Sequence, residues 1–176
     1  MPRTAPNPAR SDLEHKATSP ASVGCFILTV SDTRTEATDT GGRAIVDLLR
    51  AAGHRAVGRT IVKDDADQVR DTIGRQLANP DVQVIITTGG TGISSRDTTY
   101  EAVSGLLWKK LDGFGELFRV LSYEQVGSAA MLSRAVAGTI AGRVVVALPG
   151  SEAAVRLALE KLLIPELGHL VREASR

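Results

Sequence analysis

The sequence predicts an α/β fold, a largely parallel sheet with helices on both faces, and three observations lead there. Short apolar runs alternate with stretches whose apolar residues recur at helical spacing. Aromatic residues make up 3% of the 176-residue chain while hydrophobic residues reach 43%, so the core must be built from Val, Ile, Leu and Ala, the filling of strands buried on both faces. Polar or glycine-rich clusters stand directly after the apolar runs, where parallel strands end.

The run from Cys25 to Ser31 stops at Asp32 and reads as a buried strand. Thr38-Asp39-Thr40 supplies N-cap candidates for a helix carrying Ile45, Val46, Leu48, Leu49 and Ala52, with Gly53 as its stop. His54 to Val62 reads as a second strand ending at Asp64-Asp65. Val69, Ile73 and Leu77 mark a second helix closed by Asn79-Pro80. Val82 to Thr88 is apolar enough for a central strand, and Gly89-Gly90-Thr91-Gly92 follows at once. Thr98-x-x-Glu101 has the form of a capping box, predicting a helix from Thr98 toward Lys110. Gly113-Phe114-Gly115 punctuates, and Glu116 to Val126 carries another helical face. Met131 to Ile140 and Arg143 to Leu148 read as strands joined by a tight turn at Ala141-Gly142. Pro149-Gly150-Ser151 opens a last helix, which Pro165 breaks or kinks.

Bulk properties exclude several classes. A net charge of +1 gives no overall field favouring nucleic acid or a membrane surface, so a polyanionic ligand has to be held by local groups. The single cysteine, Cys25, rules out an intrachain disulfide and reads as a buried thiol. His15, His54 and His169 are isolated, which argues against a histidine metal site or a Ser-His-Asp triad. Lys109-Lys110 reads as a solvated helix end, and Trp108 as core or subunit contact. Residues 1–22 hold four prolines and no apolar run, the composition of a mobile tail and not of a signal peptide. No stretch approaches the roughly 20 apolar residues of a membrane span, so a cytoplasmic location is expected. Residues 23–176 are expected to form one domain.

In an open α/β sheet, ligands bind beyond the carboxyl ends of the strands. Ser31-Asp32-Thr33, Asp64-Asp65, Gly89-Gly90-Thr91-Gly92 and Pro149-Gly150-Ser151 all stand at such ends and should converge on one rim. Successive glycine-loop amides form an anion nest, and Thr88 and Thr91 add hydroxyls. A tight strand-to-helix turn with no ligand explains the same loop equally well. The Lys-Ser/Thr ending of a P-loop and the spacing of the dinucleotide fingerprint are both absent. Asp97, just ahead of the helix start, either makes local hydrogen bonds or ligates Mg²⁺ beside bound phosphates, with Asp64 as a second carboxylate.

The ordered series Thr87-Thr88-Gly89-Gly90-Thr91-Gly92, Arg96-Asp97-x-Thr99-x-Glu101-Ala102, Ser133-Arg134-Ala135 and Leu148-Pro149-Gly150-Ser151 resembles the signature of the MoaB/MogA family of molybdenum cofactor biosynthesis proteins, with Gly113 to Gly150 closer to the MoaB branch. The resemblance spans about Gly24 to Glu173. It implies a three-layer α/β/α molybdopterin-binding domain that assembles as homotrimers or hexamers. It also implies adenylylation of molybdopterin by Mg²⁺-ATP with release of pyrophosphate. By the same resemblance Asp64 and Asp97 are catalytic and hold Mg²⁺. Ser31, Asp32, Thr88 to Gly92, Arg96, Ser133, Arg134, Pro149, Gly150 and Ser151 bind ligand. Tyr100 stands where the family motif has proline, so a reshaped rim is expected. The alternatives are a MoaB-like oligomer that binds molybdopterin without catalysis, a hydrolase of another nucleotide, and a purely structural oligomer.

Overall fold

In the computed structural model, which describes residues 18–176, six strands form one sheet in the order β2-β1-β3-β6-β5-β4. The strands are β1 (Gly24–Val30), β2 (Arg55–Val62), β3 (Val84–Thr88), β4 (Lys109–Lys110), β5 (Val136–Ile140) and β6 (Arg143–Leu148). Strands β2, β1, β3 and β6 run parallel, and β5 and β4 complete the sheet antiparallel to their neighbours. Every residue of β1 and β3 is buried, as the near-continuous apolar runs require.

The helices are α1 (Thr40–Ala51), α2 (Ala66–Leu77), α3 (Thr99–Leu106), α4 (Asp112–Val126), α5 (Glu152–Ala158) and α6 (Ile164–Ala174). They divide between the two faces. Cys25, Ile27, Val84, Ile86, Val144 and Val146 turn toward α1, α4, α5 and α6, whereas Phe26, Leu28, Ile85 and Val145 turn toward α2 and α3. Strand alternation thus sorts one sheet into two cores, and three layers result. Each Ile or Leu buried this way contributes about 1.5–3 kcal/mol relative to an exposed one. Cys25 is buried, and that burial pushes its thiol up to about 12, as an inert core group.

Several sequence expectations are corrected. No capping box forms at Thr98, whose hydroxyl makes no cap bond because it donates instead to Asp64, while Glu101 is drawn off by Arg134. Helix α3 ends at Leu106, and Lys109–Lys110 is a short exposed edge strand, because the backbone there pairs with β5. Trp108 is 74% exposed and so is not core. Gly113 and Gly115 lie inside α4, where a side chain at 115 would crowd the carbonyl of Ala135. Gly127–Leu132 is a 3₁₀ turn, so the fifth strand starts at Val136 and not Met131. Pro165 does not end the last helix. The chain widens into a π turn over Leu159–Leu163, where the amide of Ile164 donates to the Leu159 carbonyl, and α6 carries on with Pro165 in its first turn. His169 is not isolated, since Nδ1 lies 3.3 Å from Glu166 Oε2. The tail reading for residues 1–22, and His15, fall almost wholly outside the described residues. No helix among the described residues is long and apolar enough to cross a membrane.

Candidate functional site

Register brings the strand ends level. Val30 pairs with Val62, Thr29 with Thr88, and Thr88 with Leu148. The segments after β1, β2, β3 and β6 therefore leave the sheet along one rim. The chain turns from β1 to β2 on one side and to β3 on the other, so this rim holds the topological switch point. Strand β5 runs the other way and places its first residue, Val136, opposite Ala147. That reversal delivers Ser133 and Arg134 to the same rim.

Direct contacts tie the rim together. The Asp64 amide donates to Asp32 Oδ1 (3.2 Å), and Arg96 Nη2 donates to Asp32 Oδ2 (2.7 Å). Asp64 Oδ1 accepts from the amide and the hydroxyl of Thr98, at 3.1 and 2.9 Å. Asp97 Oδ2 accepts from the Ser94 amide (2.9 Å), and the amide of Asp97 donates to the Ser94 carbonyl. Thr88 Oγ1 donates to the Pro149 carbonyl (3.0 Å), and the Gly89 amide to Leu148 (3.0 Å). Ser31 Oγ accepts from the amides of Thr33 and Arg34. Ser151 caps α5, its Oγ accepting from the Ala154 amide.

The glycine loop is shaped by its neighbours. Gly89 and Gly90 have φ of +98° and +63°, a region that side chains rarely adopt. A Cβ on Gly90 would stand 2.6 Å from Asp64 Oδ2 and closer still to Thr99 Oγ1, and one on Gly92 would stand 2.6 Å from Asp97 Oδ2. The loop is thus pressed between the two carboxylates. Among the described residues, the amides of Gly90, Thr91, Gly92 and Ile93 donate to no acceptor, and the buried Thr99 Oγ1 has no partner either. Thr91 and Thr99 are buried whereas Gly92 and Ile93 are exposed, so part of this row is open to water, and the row as a whole forms a nest of free donors that can receive an anion. Beside the loop a cleft of 440 Å³ opens between Arg70, Ile93, Asp97, Glu101 and Arg134.

Arg134 grips the outer side of this loop. Its Nε donates to the Thr91 carbonyl (3.0 Å) and its Nη2 to the Gly92 carbonyl (2.5 Å), while Glu101 takes a forked pair from Nη1 and Nη2. Those bonds hold the Glu101 carboxyl below the usual carboxylate range. The Tyr100 ring lies under the guanidinium, 4.8 Å from its carbon.

Arg34 escaped the sequence reading, and Asp39, read there only as an N-cap candidate, does more than cap α1. Asp39 is fully buried; Oδ1 accepts from the Gly42 amide, and Oδ2 accepts from Thr29 Oγ1 (2.8 Å) and Arg59 Nη1 (3.1 Å). Arg34 reaches from Asp39 (3.9 Å) to the Gly150 carbonyl, to which its Nη2 donates at 2.6 Å. An aspartate in the position of an N-cap carries only that signal in a sequence, and Arg34 carries none.

Among the described residues, no group of three or more His, Cys, Asp or Glu side chains is placed to hold a metal ion. Mg²⁺ needs only one or two carboxylates when phosphates and water supply the remaining oxygens. Asp64 Oδ2 and Asp97 Oδ1 accept no hydrogen bond among the described residues, and they flank the free amides. One free oxygen on each aspartate is a donor set that a magnesium ion with further oxygen ligands could use.

Of the sequence-predicted residues, Ser31, Asp32, Asp64, Thr88 to Gly92, Arg96, Asp97, Arg134, Pro149 and Gly150 are gathered on the rim. Ser133 and Ser151 join it only as chain neighbours. This arrangement can be set beside known proteins. Residues 26–169 match the family model described as "Probable molybdopterin binding domain". The molybdenum cofactor biosynthesis protein B of Bacillus cereus is 52% identical over 164 residues, 93% of this chain and 97% of that protein. The chain belongs to the MoaB family. A crystal structure of a molybdenum cofactor biosynthesis protein B superposes with a TM-score of 0.86 at 52% identity, covering 89% of this chain and 98% of that one. MoaB from Pyrococcus furiosus, described as a tungsten cofactor synthesizing protein, gives a TM-score of 0.81 at 37% identity, covering 90% of this chain and all (100%) of that one. The residues matched by the family, 26–169, include every segment of the rim.

Proposed function

We propose that this chain acts in molybdenum cofactor biosynthesis, binding molybdopterin and adenylylating it with Mg²⁺-ATP. The observation that carries the reading is the row of four successive amides, Gly90 to Ile93, without acceptors among the described residues and flanked by Asp64 and Asp97. Membership of the MoaB family supports molybdopterin as the phosphate-bearing ligand.

In this reaction an oxygen of the molybdopterin phosphate attacks the α-phosphorus of ATP. A P–O bond forms, the bond from the α-phosphorus to the bridging oxygen breaks, and pyrophosphate leaves. Two anions must meet, so catalysis rests on positioning and on charge neutralisation, with no protein nucleophile required. The loop amides bind phosphate oxygens. Asp64 and Asp97 hold the magnesium that accompanies the nucleotide. Arg96, largely exposed and anchored on Asp32, adds positive charge. Thr88, Pro149 and Gly150 form the adjoining wall, with Ser31, Ser133 and Ser151 at its margins.

The protein also assembles, as a homotrimer or hexamer in the cytoplasm. Leu117, Val120, Tyr123 and Val126 on α4, with Met131 and Leu132 just after it, are exposed large apolar side chains, and contiguous patches of this kind are covered by partners. A non-catalytic molybdopterin-binding oligomer is the second reading. It draws support from the bonds that Asp64 and Asp97 already make to Thr98 and Ser94, as carboxylates holding a loop do.

The test is to incubate the purified protein with molybdopterin and Mg²⁺-ATP and to measure pyrophosphate. Release of one pyrophosphate per adenylylated pterin is the expected result. Pterin binding without release identifies the carrier instead.

A further inference from the structure

We propose that Arg134 is a positioning residue that turns the loop amides toward phosphate, instead of contacting phosphate itself. The inference rests on the phosphate-binding reading above. Within a trans peptide the carbonyl and the following N–H point in opposite directions. Arg134 holds the carbonyls of Thr91 and Gly92 on one side. The N–H groups of those same two peptides, belonging to Gly92 and Ile93, are thereby directed to the other.

The guanidinium has little left to offer a ligand. Four of its five N–H donors are engaged, one on Thr91, one on Gly92 and two on Glu101. One face is covered by Tyr100. Only a planar fork can satisfy two successive carbonyls and a carboxylate together, which a lysine ammonium on its flexible stem cannot reproduce. Tyr100 and Glu101 hold the fork from below and from the side, and both come from the first turn of α3. The tyrosine at position 100 is thus part of a clamp on the glycine loop.

The experiment uses the whole protein and inorganic pyrophosphate as the probe, with amide ¹H–¹⁵N spectra as the readout. In the wild type, the Gly90 to Ile93 signals shift on titration. Arg134→Lys and Arg134→Gln should both shift the Gly92 and Ile93 signals before any ligand is added. Both should also weaken pyrophosphate binding about tenfold or more, with the signals of β1 and β6 unmoved. Tyr100→Phe keeps the ring and should bind as the wild type does, whereas Tyr100→Ala should weaken binding severalfold. Wild-type affinity in Arg134→Lys with loss confined to Arg134→Gln would mean that charge alone suffices, and would overturn the positioning role. If the Arg134 variants fail to fold, Tyr100→Ala decides: unchanged affinity and unchanged loop signals overturn the proposal. Wild-type protein whose Gly90 to Ile93 signals ignore pyrophosphate would overturn the phosphate-binding reading itself, a result distinct from the variant outcomes.

Discussion

At the scale of single residues, a carboxylate that carries charge is separable by substitution from one that only carries hydrogen bonds. Asp97→Asn keeps an oxygen that can accept from the Ser94 amide, so the loop should survive while the negative charge is lost. Pyrophosphate release is expected to fall by about a hundredfold or more, with molybdopterin affinity little changed. Equal loss of both would make Asp97 a structural residue. His54 offers a test through pH. Burial lowers its proton affinity, and the Val23 amide donates to Nδ1 at 3.3 Å, a bond that only an unprotonated nitrogen accepts. The unfolded chain takes up a proton at about pH 6.5 and the folded one only at a lower pH. This contribution to stability is therefore complete above about pH 6.5 and is lost as pH falls toward the folded value. The unfolding temperature should drop between about pH 7.5 and pH 5.5, and His54→Gln should flatten that drop. Asp64 and the glycine loop were legible in the sequence because they follow strands directly, and Asp97 because it stands just ahead of a helix start. Arg34 was not, and of Asp39 only the capping role was, since their partners at Gly150, Thr29 and Arg59 lie on other elements and only folding joins them.

At the scale of elements, alternating apolar runs made β1, β2, β3 and β6 readable, together with α1, α2 and α5. The misread segments share a physical cause, in that local signals there yield to contacts from elsewhere. Two glycines suggested a break at Gly113 to Gly115, yet the helix needs a bare Cα beside the Ala135 carbonyl. Two lysines cannot show a strand period, and β4 exists because β5 offers it partners. Thr98 and Glu101 have the right types and spacing for a capping box, but Asp64 and Arg134 compete for both. Asp39 shows how one side chain fastens an element, for it caps α1, bonds β1 through Thr29 and bonds β2 through Arg59. Asp39→Ala removes the cap and takes their carboxylate partner from the buried Thr29 hydroxyl and from Arg59, while Arg34 keeps the Gly150 carbonyl. Urea unfolding should show a loss of about 3–5 kcal/mol. A loss below about 1 kcal/mol would reduce Asp39 to an ordinary cap.

At the scale of the whole molecule, strand order creates the site. The sequence implied strand ends on a common rim and, through the tight turn at Ala141-Gly142, a strand running against β6; that reversal brings Arg134 to the glycine loop from 43 residues away. Assembly is tested at this scale too. Val120→Glu places a charge amid the apolar surface of α4, and sedimentation should then show smaller species than the wild type with an unchanged circular dichroism spectrum. At this rim, in the proposed function, backbone amides of one glycine loop receive a phosphate between two aspartates. A crystal structure of the protein soaked with Mg²⁺-ATP decides whether they do. Phosphate oxygens within hydrogen-bonding distance of the Gly90 to Ile93 amides, with the metal touching Asp64 and Asp97, are the predicted result. Nucleotide bound instead in the 650 Å³ apolar cleft between α4 and the last helix, with the loop amides bare, would contradict it.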